Sequence, residues 1–235
     1  MELKEAIILA GGKGKRMRSV TMDKFPKGLT PIQDIPILNW EIEWLAREGI
    51  NHVVLAVGYL HEMIKDSIGN KIDTKFGSVD IDYSIEKSKL GSGGAIKLAT
   101  SLVSSENILI MNGDLLLNSD LNDMKAIHHQ AGINATMLLI KMRSPYGVVI
   151  SDGKNNITNF VEKPLLDVYI HGGVDIVNKE TLNRFPKEGQ MEETIFIDLV
   201  NEGTFKCFKA PTSDFWMSID SEKDYETANK NWKGL

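Results

Sequence analysis

The chain has 235 residues, is 42% hydrophobic and 25% charged, and carries a net charge of −5. That is enough chain to bury a large α/β core unaided, and the single cysteine, Cys207, excludes an internal disulfide and a thiolate zinc site. Acids and bases mixed throughout, with a negative sum, exclude a surface made to hold nucleic acid nonspecifically, so a bound anion requires a local cluster of cations.

The first apolar run, "EAIILA", extends only about six residues before glycine, too short for a secretion signal or a membrane span, and no later segment approaches one. A reducing cytoplasm is the expected setting, with no membrane partner. This run leads into "AGGKGKRM", where small residues let backbone N–H groups approach an anion while Lys13, Lys15 and Arg16 add charge. The alternative is a plain turn with solvated lysines. A Walker A loop is excluded because no Gly-Lys-Ser/Thr follows, and a dinucleotide fingerprint is excluded because position 17 is Met17. In "FPKGL", residues 25–29, Lys27 follows a stiffening proline and extends the cation cluster.

In "ILNWEIEWLAREG", Leu38, Ile42 and Leu45 follow a 4,3 spacing and Gly49 ends the pattern, which predicts an amphipathic helix. Trp40 and Trp44 read as packing or subunit contacts of that helix rather than as base-stacking groups. "HVVLAVG", "VDIDYSIE" and "NILIMNGD" read as strands, separated by helical patterns in "LHEMIKDSIG" and "GGAIKLATSLV". Strict alternation implies βαβ units around a parallel sheet buried on both faces. Ligands then bind beyond the carboxyl ends of the strands, so "AGGKGKR", "VGY", "IEKSKLGSGG" and "MNGD" are expected to line one crevice. Asp114, at the end of a buried strand, suits Mg2+, although Asn-Gly-Asp is equally good turn chemistry and a second acid is required to decide.

The second half is richer in strands: "ATMLLIK", "YGVVIS", "NITNFVEK", "YIHGGVDIV" and "TFKCFKA", with short helices expected near 179–185 and 192–203. These strands are expected to extend the same sheet and roof the crevice. His128 and His129 fall late in a polar helix and are expected to be solvated. Ser221 followed by Asp224 predicts the cap of a last helix over 221–232. No Ser/His/Asp or Cys/His nucleophile arrangement is present.

Seven segments, "LAGGKGKRM", "FPKGL", "LGSGGAI", "NGD", "YGVV", "VEKP" and "FWMSIDSEKDYETAN", resemble in this order the sugar-1-phosphate nucleotidylyltransferases. The nearest resemblance is to guanylyltransferases acting on mannose or heptose phosphates. Each motif alone is weak; seven in order over almost the whole chain are specific. The resemblance implies a Rossmann-like α/β nucleotidyltransferase core, with a mainly parallel central sheet covered by helices and a smaller β-rich sugar-binding portion. It implies one domain over 1–235, with 1–118 mainly nucleotide-binding and 119–235 mainly sugar-binding, ending in the closing helix. The activity implied is Mg2+-assisted attack of a sugar 1-phosphate on the α-phosphorus of an NTP, releasing pyrophosphate.

Carried over by motif, the resemblance implies that Leu9, Gly11, Gly12, Gly14 and Gly91 meet the nucleotide. Arg16 would steady the leaving pyrophosphate and Lys27 the α-phosphate region. Asp114 would hold Mg2+. Glu162 and Lys163 would take the sugar hydroxyls and sugar phosphate, and Gly147 and Gly173 would let the ring come close. His171 stands where the family often carries Asn, which puts it near the sugar. Glu86 is at the base-reading position; a carboxylate only accepts, which suits the N1–H and N2–H donors of guanine and tilts the reading to GTP, unless a backbone carbonyl does the reading. CTP, UTP or dTTP, a choline-phosphate substrate, or a noncatalytic nucleotide-sugar-binding relative are the alternatives.

Three departures stand out: Lys15 replaces a usual Thr, Gly28 replaces a usual Pro, and Ser218 replaces the usual second metal carboxylate. Asp220, two positions on, is either the replacement ligand or part of the cap of the last helix. The hexapeptide β-helix that many relatives append is not expected, so a homodimer would be built by the core itself.

Overall fold

The computed structural model describes residues 3–235. Its strands of three or more residues are β1 (Glu5–Leu9), β2 (His52–Val57), β3 (Lys71–Thr74), β4 (Gly77–Ile85), β5 (Asn107–Asn112) and β6 (Leu115–Leu117) in the first half. In the second half come β7 (Ala135–Arg143), β8 (Val148–Ser151), β9 (Ile157–Val161), β10 (Leu165–Asn178), β11 (Phe205–Lys209) and β12 (Trp216–Ser218). Eight form one sheet in the order β11-β7-β10-β5-β1-β2-β4-β3. β1 pairs in parallel with β2 and β5, and β2 with β4, while β10 and β3 run antiparallel to their neighbours. The expected mainly parallel sheet is therefore present, and β7, β10 and β11 of the second half extend it; β8 and β9, expected to do the same, instead pair only with each other as a separate antiparallel hairpin.

The helices of six or more residues are α1 (Ile37–Arg47), α2 (His61–Ile68), α3 (Gly91–Ala99), α4 (Asn122–His128), α5 (Lys179–Arg184), α6 (Ile195–Glu202) and α7 (Glu222–Asn231). Alternate residues of the central strands face opposite sides, so each side needs its own cover. Ile8, Leu55 and Met111 pack with Leu38, Ile64 and Met124 of α1, α2 and α4. Ile7, Val54 and Ile110, their neighbours in sequence, pack with Ile96, Leu182 and Leu199 of α3, α5 and α6.

α1 follows its spacing closely. Leu38, Ile42 and Leu45 are fully buried, each contributing roughly 2 kcal/mol of apolar burial. Its end is a Schellman closure: Gly49, at φ +90°, donates to Ala46 O, and Ile50 N–H reaches back to Leu45 O. Trp44 is buried and donates its indole N–H to Ser119 O; Trp40 donates to Ile32 O. Both are packing residues.

A third core holds the end of the chain. Ile219, Ala228 and Trp232 pack with Met17, Ile32, Ile37 and Trp40, and the Trp40 and Trp232 rings meet edge to face at 5.6 Å. Ser221 caps α7 as expected, accepting from Asp224 N–H, while Asp224 accepts from Ser221 Oγ and Asp220 N–H. This closure fixes the loop that carries Asp220.

A second expectation fails as well. His128 is not solvated: it is 4% exposed, accepting from Thr136 Oγ1 at Nδ1 and donating to Asn107 Oδ1 from Nε2. A helix that is polar in sequence lies over β7 and the edge strand β11, and the imidazole fills the space between. Burial, aided by His129, depresses its pKa from 6.5 to about 4. The unfolded chain therefore takes up the proton first, and stability falls as pH drops from 6.5 toward 4. Urea unfolding at pH 7 and pH 4.5 is expected to show the wild type losing about 2–3 kcal/mol more than His128→Gln over that interval. Parallel losses in the two proteins would reject the assignment.

Candidate active site

The order β5-β1-β2-β4 places a topological switch between β1 and β5, because the chain leaves β1 toward β2 and later returns to its other side. The loops leaving these two strands lie together: Gly113 N–H donates to Leu9 O at 2.9 Å, and a Cβ on Gly113 would meet that oxygen at 2.8 Å. The phosphate-type loop and the Asp114 turn thus begin in contact.

In the first loop Gly14 has φ +57°, and a Cβ there would lie 3.0 Å from Lys27 Cβ, so both the backbone angle and the close approach favour glycine. Met17, which only excluded a motif in the sequence, is fully buried in the third core. It anchors the loop at the position where a dinucleotide site would carry its third glycine.

Four charged side chains converge beside this loop. Lys27 Nζ donates to Asp114 Oδ2 at 2.7 Å and to Asp220 Oδ1 at 2.8 Å, and Arg16 donates to Asp220 Oδ1 at 2.9 Å. Ser218, where the resemblance leads one to expect the second carboxylate, donates its hydroxyl to Asp220 Oδ2 at 2.9 Å. The Asp220 side chain faces the site and takes no part in capping α7. Burial works to raise its pKa, but Lys27, Ser218 and Arg16 outweigh that and hold the carboxyl below its usual range. Asp114 Oδ1 is buried with no hydrogen-bond partner.

These groups fit Mg2+, which takes one or two carboxylates and completes its shell with phosphate oxygens and water. Among the described residues no group of three or more His, Cys, Asp or Glu could hold a metal without such help.

A recess of about 250 Å³ containing Arg16, Lys27, Asp114 and Asp220 adjoins a larger cleft of about 850 Å³. Leu9, Gly11, Gly12, Gly14, Glu86 and Gly91 all line the larger cleft. Glu86 Oε2 accepts from Leu90 N–H at 3.0 Å, and Oε1 would lie 3.0 Å from a Cβ on Gly11, so that oxygen borders the glycine loop.

The glycines of "LGSGG" have a second duty that the sequence did not disclose. A Cβ on Gly91 would lie 2.5 Å from Gly189 O, and one on Gly94 2.7 Å from Lys187 O. The segment 186–190 presses on the start of α3, where Gln190 Oε1 accepts from Ser92 N–H and Oγ. Gln190 and Tyr59 also line the cleft. Tyr59 lay in a flagged loop after a strand; Gln190, in "PKEGQ" between helices, carried no signal.

None of the expected sugar residues Gly147, Glu162, Lys163 and Gly173 lines either recess. A Cβ on Gly147 would meet Phe160 and, at 3.0 Å, Glu162 Oε2; Glu162 pairs with Lys163 at 3.4 Å; and Lys163 has φ +46° with its carbonyl held by Arg143. They form the base of the β8–β9 hairpin. Gly173, at φ +73°, lies against Asn112 and Leu115, beside the Asp114 turn. His171 Nε2 donates to the fully buried Asp175 at 2.9 Å. Burial alone would lower the His171 pKa, but Asp175 raises it.

Sequence reasoning missed Glu41. It is 1% exposed on α1, and its Oε1 accepts from Leu115 N–H at 2.8 Å. Burial pushes its carboxyl well above the usual range, the Leu115 N–H opposes this, and the nearby Asp114 charge adds to it.

A mainly parallel sheet with a glycine loop and two facing carboxylates at its switch point is a site suited to a phosphate ester and a divalent cation. The family described as Nucleotidyl transferase matches residues 5–233, and the chain belongs to it. It is 38% identical over 96% of its length to D-glycero-alpha-D-manno-heptose 1-phosphate guanylyltransferase of Aneurinibacillus thermoaerophilus, covering 97% of that protein. It is 31% identical over 95% of its length to mannose-1-phosphate guanyltransferase of Schizosaccharomyces pombe, of which it spans 62%. The crystal structure of HddC from Yersinia pseudotuberculosis complexed with GMP-PN is similar at a TM-score of 0.75 and 26% identity, covering 98% of this chain and 100% of that one. No helix among the described residues is long and apolar enough to cross a membrane.

Proposed function

We propose that this nucleotidyltransferase joins GTP to a mannose- or heptose-type sugar 1-phosphate, forming a GDP-sugar and pyrophosphate. The observation that carries the reading is the Arg16, Lys27, Asp114 and Asp220 cluster at the end of the glycine loop, two cations and two carboxylates with no net charge among them. The relatives named as mannose and heptose 1-phosphate guanylyltransferases favour guanine and these sugars.

An oxygen of the sugar phosphate attacks the α-phosphorus, the bond to the bridging α,β-oxygen breaks, and its electrons leave with pyrophosphate. Such transfer is governed by positioning and charge neutralisation, for which these residues are suited. The N–H groups of Gly11, Gly12 and Gly14 cradle the triphosphate, and Arg16, largely exposed, swings to the departing phosphates. Lys27 meets the α-phosphate. Asp114 and Asp220 hold Mg2+, which when bound neutralises phosphate charge. Glu86 takes the guanine donors through Oε1, with Leu9 and Gly91 beside the nucleoside. Glu162, Lys163, Gly147 and Gly173 serve the sugar 1-phosphate, with His171 near it, so that residues 1–118 are mainly nucleotide-binding and residues 119–235 mainly sugar-binding. Ser218 in place of a second carboxylate favours a noncatalytic relative; against that reading, Asp220 stands in hydrogen-bond contact with Ser218 and offers a carboxylate there.

The test is pyrophosphate release with Mg2+, four NTPs and a panel of sugar 1-phosphates. Turnover is expected with GTP and mannose or manno-heptose 1-phosphate; nucleotide binding without turnover for any pair rejects the enzyme reading, and CTP preference revives the cytidylyltransferase one. Asp220→Ala is expected to lower kcat by about 10- to 100-fold and to raise the Mg2+ concentration needed for half activity. Full activity at unchanged Mg2+ dependence rejects Asp220 as a ligand.

A further inference from the structure

Glu41 lies in the middle of α1, buried among Leu38, Ile42 and Leu45, where a carboxyl is costly unless its oxygens are used. The bond it makes is to Leu115 N–H, the peptide that directly follows Asp114. Three backbone hydrogen bonds enclose Asp114. Gly113 N–H donates to Leu9 O, Ile219 N–H donates to Asp114 O at 2.9 Å, and Leu115 N–H donates to Glu41 Oε1. The first two come from main chain, while the third depends on one side chain. The same helix also seats Lys27, since a Cβ on Gly28 would meet Leu38 Cδ1 at 2.8 Å.

We propose that Glu41 is a positioning residue for the Asp114 carboxylate: by the reach of its side chain rather than by charge, it fixes the Asp114–Leu115 peptide and so the direction in which Asp114 meets Lys27 and a divalent cation. This rests on the reading of Asp114 as the cation's carboxylate. An N–H needs only an acceptor, which a carboxamide oxygen supplies equally well. Aspartate keeps the acid but is shorter by one carbon–carbon bond, about 1.5 Å. α1, locked by its buried face, cannot move to make up the difference. A misplacement of about 1 Å at a reacting centre costs on the order of 100-fold in rate.

The experiment compares wild type with Glu41→Gln, Glu41→Asp and Glu41→Met. It reads kcat against Mg2+ concentration, the KM for NTP, and hydrogen exchange of the segment 107–117 in the metal-free protein. Glu41→Gln is expected to stay within about 3-fold of wild type and to keep wild-type exchange, because the acceptor remains in place. Glu41→Asp and Glu41→Met are each expected to lose about 10- to 100-fold in kcat, to need more Mg2+ and to exchange faster over 112–117, with the KM for NTP unchanged. If one of these two does not fold, the other carries the comparison. A Glu41→Gln protein as impaired as Glu41→Asp, or a Glu41→Asp protein with wild-type turnover and exchange, overturns the proposal. Exchange is read without metal or substrate, so an active Asp114→Asn protein would remove the cation reading alone.

Discussion

Asp114→Asn is expected to lower kcat by about three orders of magnitude or more while the protein remains folded. The amide is nearly the same shape but neutral, so the recess keeps only one of its two anionic groups. A bound metal contributes several kcal/mol of transition-state charge stabilisation, and about 4 kcal/mol corresponds to 10³ in rate. The fold should survive because the turn is held through its backbone, by Leu9 O, Ile219 N–H and Glu41. Steady-state kinetics beside thermal melts separate the two effects. Turnover near wild type would show that the reaction does not depend on this carboxylate.

Lys27→Met is expected to produce a different pair of changes. Loss of a cation at the reacting phosphate should cost roughly 10²- to 10³-fold in kcat. In the metal-free protein the same change leaves Asp114 and Asp220, both bonded to Lys27 Nζ in the wild type, without their shared cation, Arg16 remaining on Asp220 alone. The melting temperature without Mg2+ should therefore fall, and added Mg2+ should restore more of it than it adds to the wild type. A variant whose melting temperature responds to Mg2+ as the wild type does would show that Lys27 and the cation do not share these carboxylates.

The sequence displayed those parts of the molecule that depend on neighbours in the chain. The 4,3 spacing of Leu38, Ile42 and Leu45, the ending at Gly49 and the Ser221–Asp224 cap are local devices, and each appears where its spacing predicts. The convergence of four loops followed from one further rule, that ligands gather beyond the carboxyl ends of parallel strands. Asp114 was visible on the same ground.

What stayed hidden depends on residues far apart. His128 looks solvated on a polar helix until β7 and Asn107 close over it. The glycines of "LGSGG" suggest a ligand, yet much of their necessity comes from the carbonyls of 187–189 pressing on α3. Glu41 sits in an amphipathic pattern that gives no hint of a partner 74 positions away. Ser218 read as a loss, because its hydroxyl bond to Asp220 depends on a loop conformation that spacing does not encode.

Arg16 and Lys27 reach Asp220 across 204 and 193 positions of chain. During synthesis the glycine loop is made early, but its carboxylate partner emerges only after β11 and β12 have followed. Until Trp232 docks against Trp40, the loop bearing Asp220 lacks the packing that holds it beside Arg16 and Lys27. The cluster of Arg16, Lys27 and Asp220 is thus a product of long-range closure rather than of the glycine loop's own folding, and its ion pairs report whether residues near the two ends of the described chain have come together.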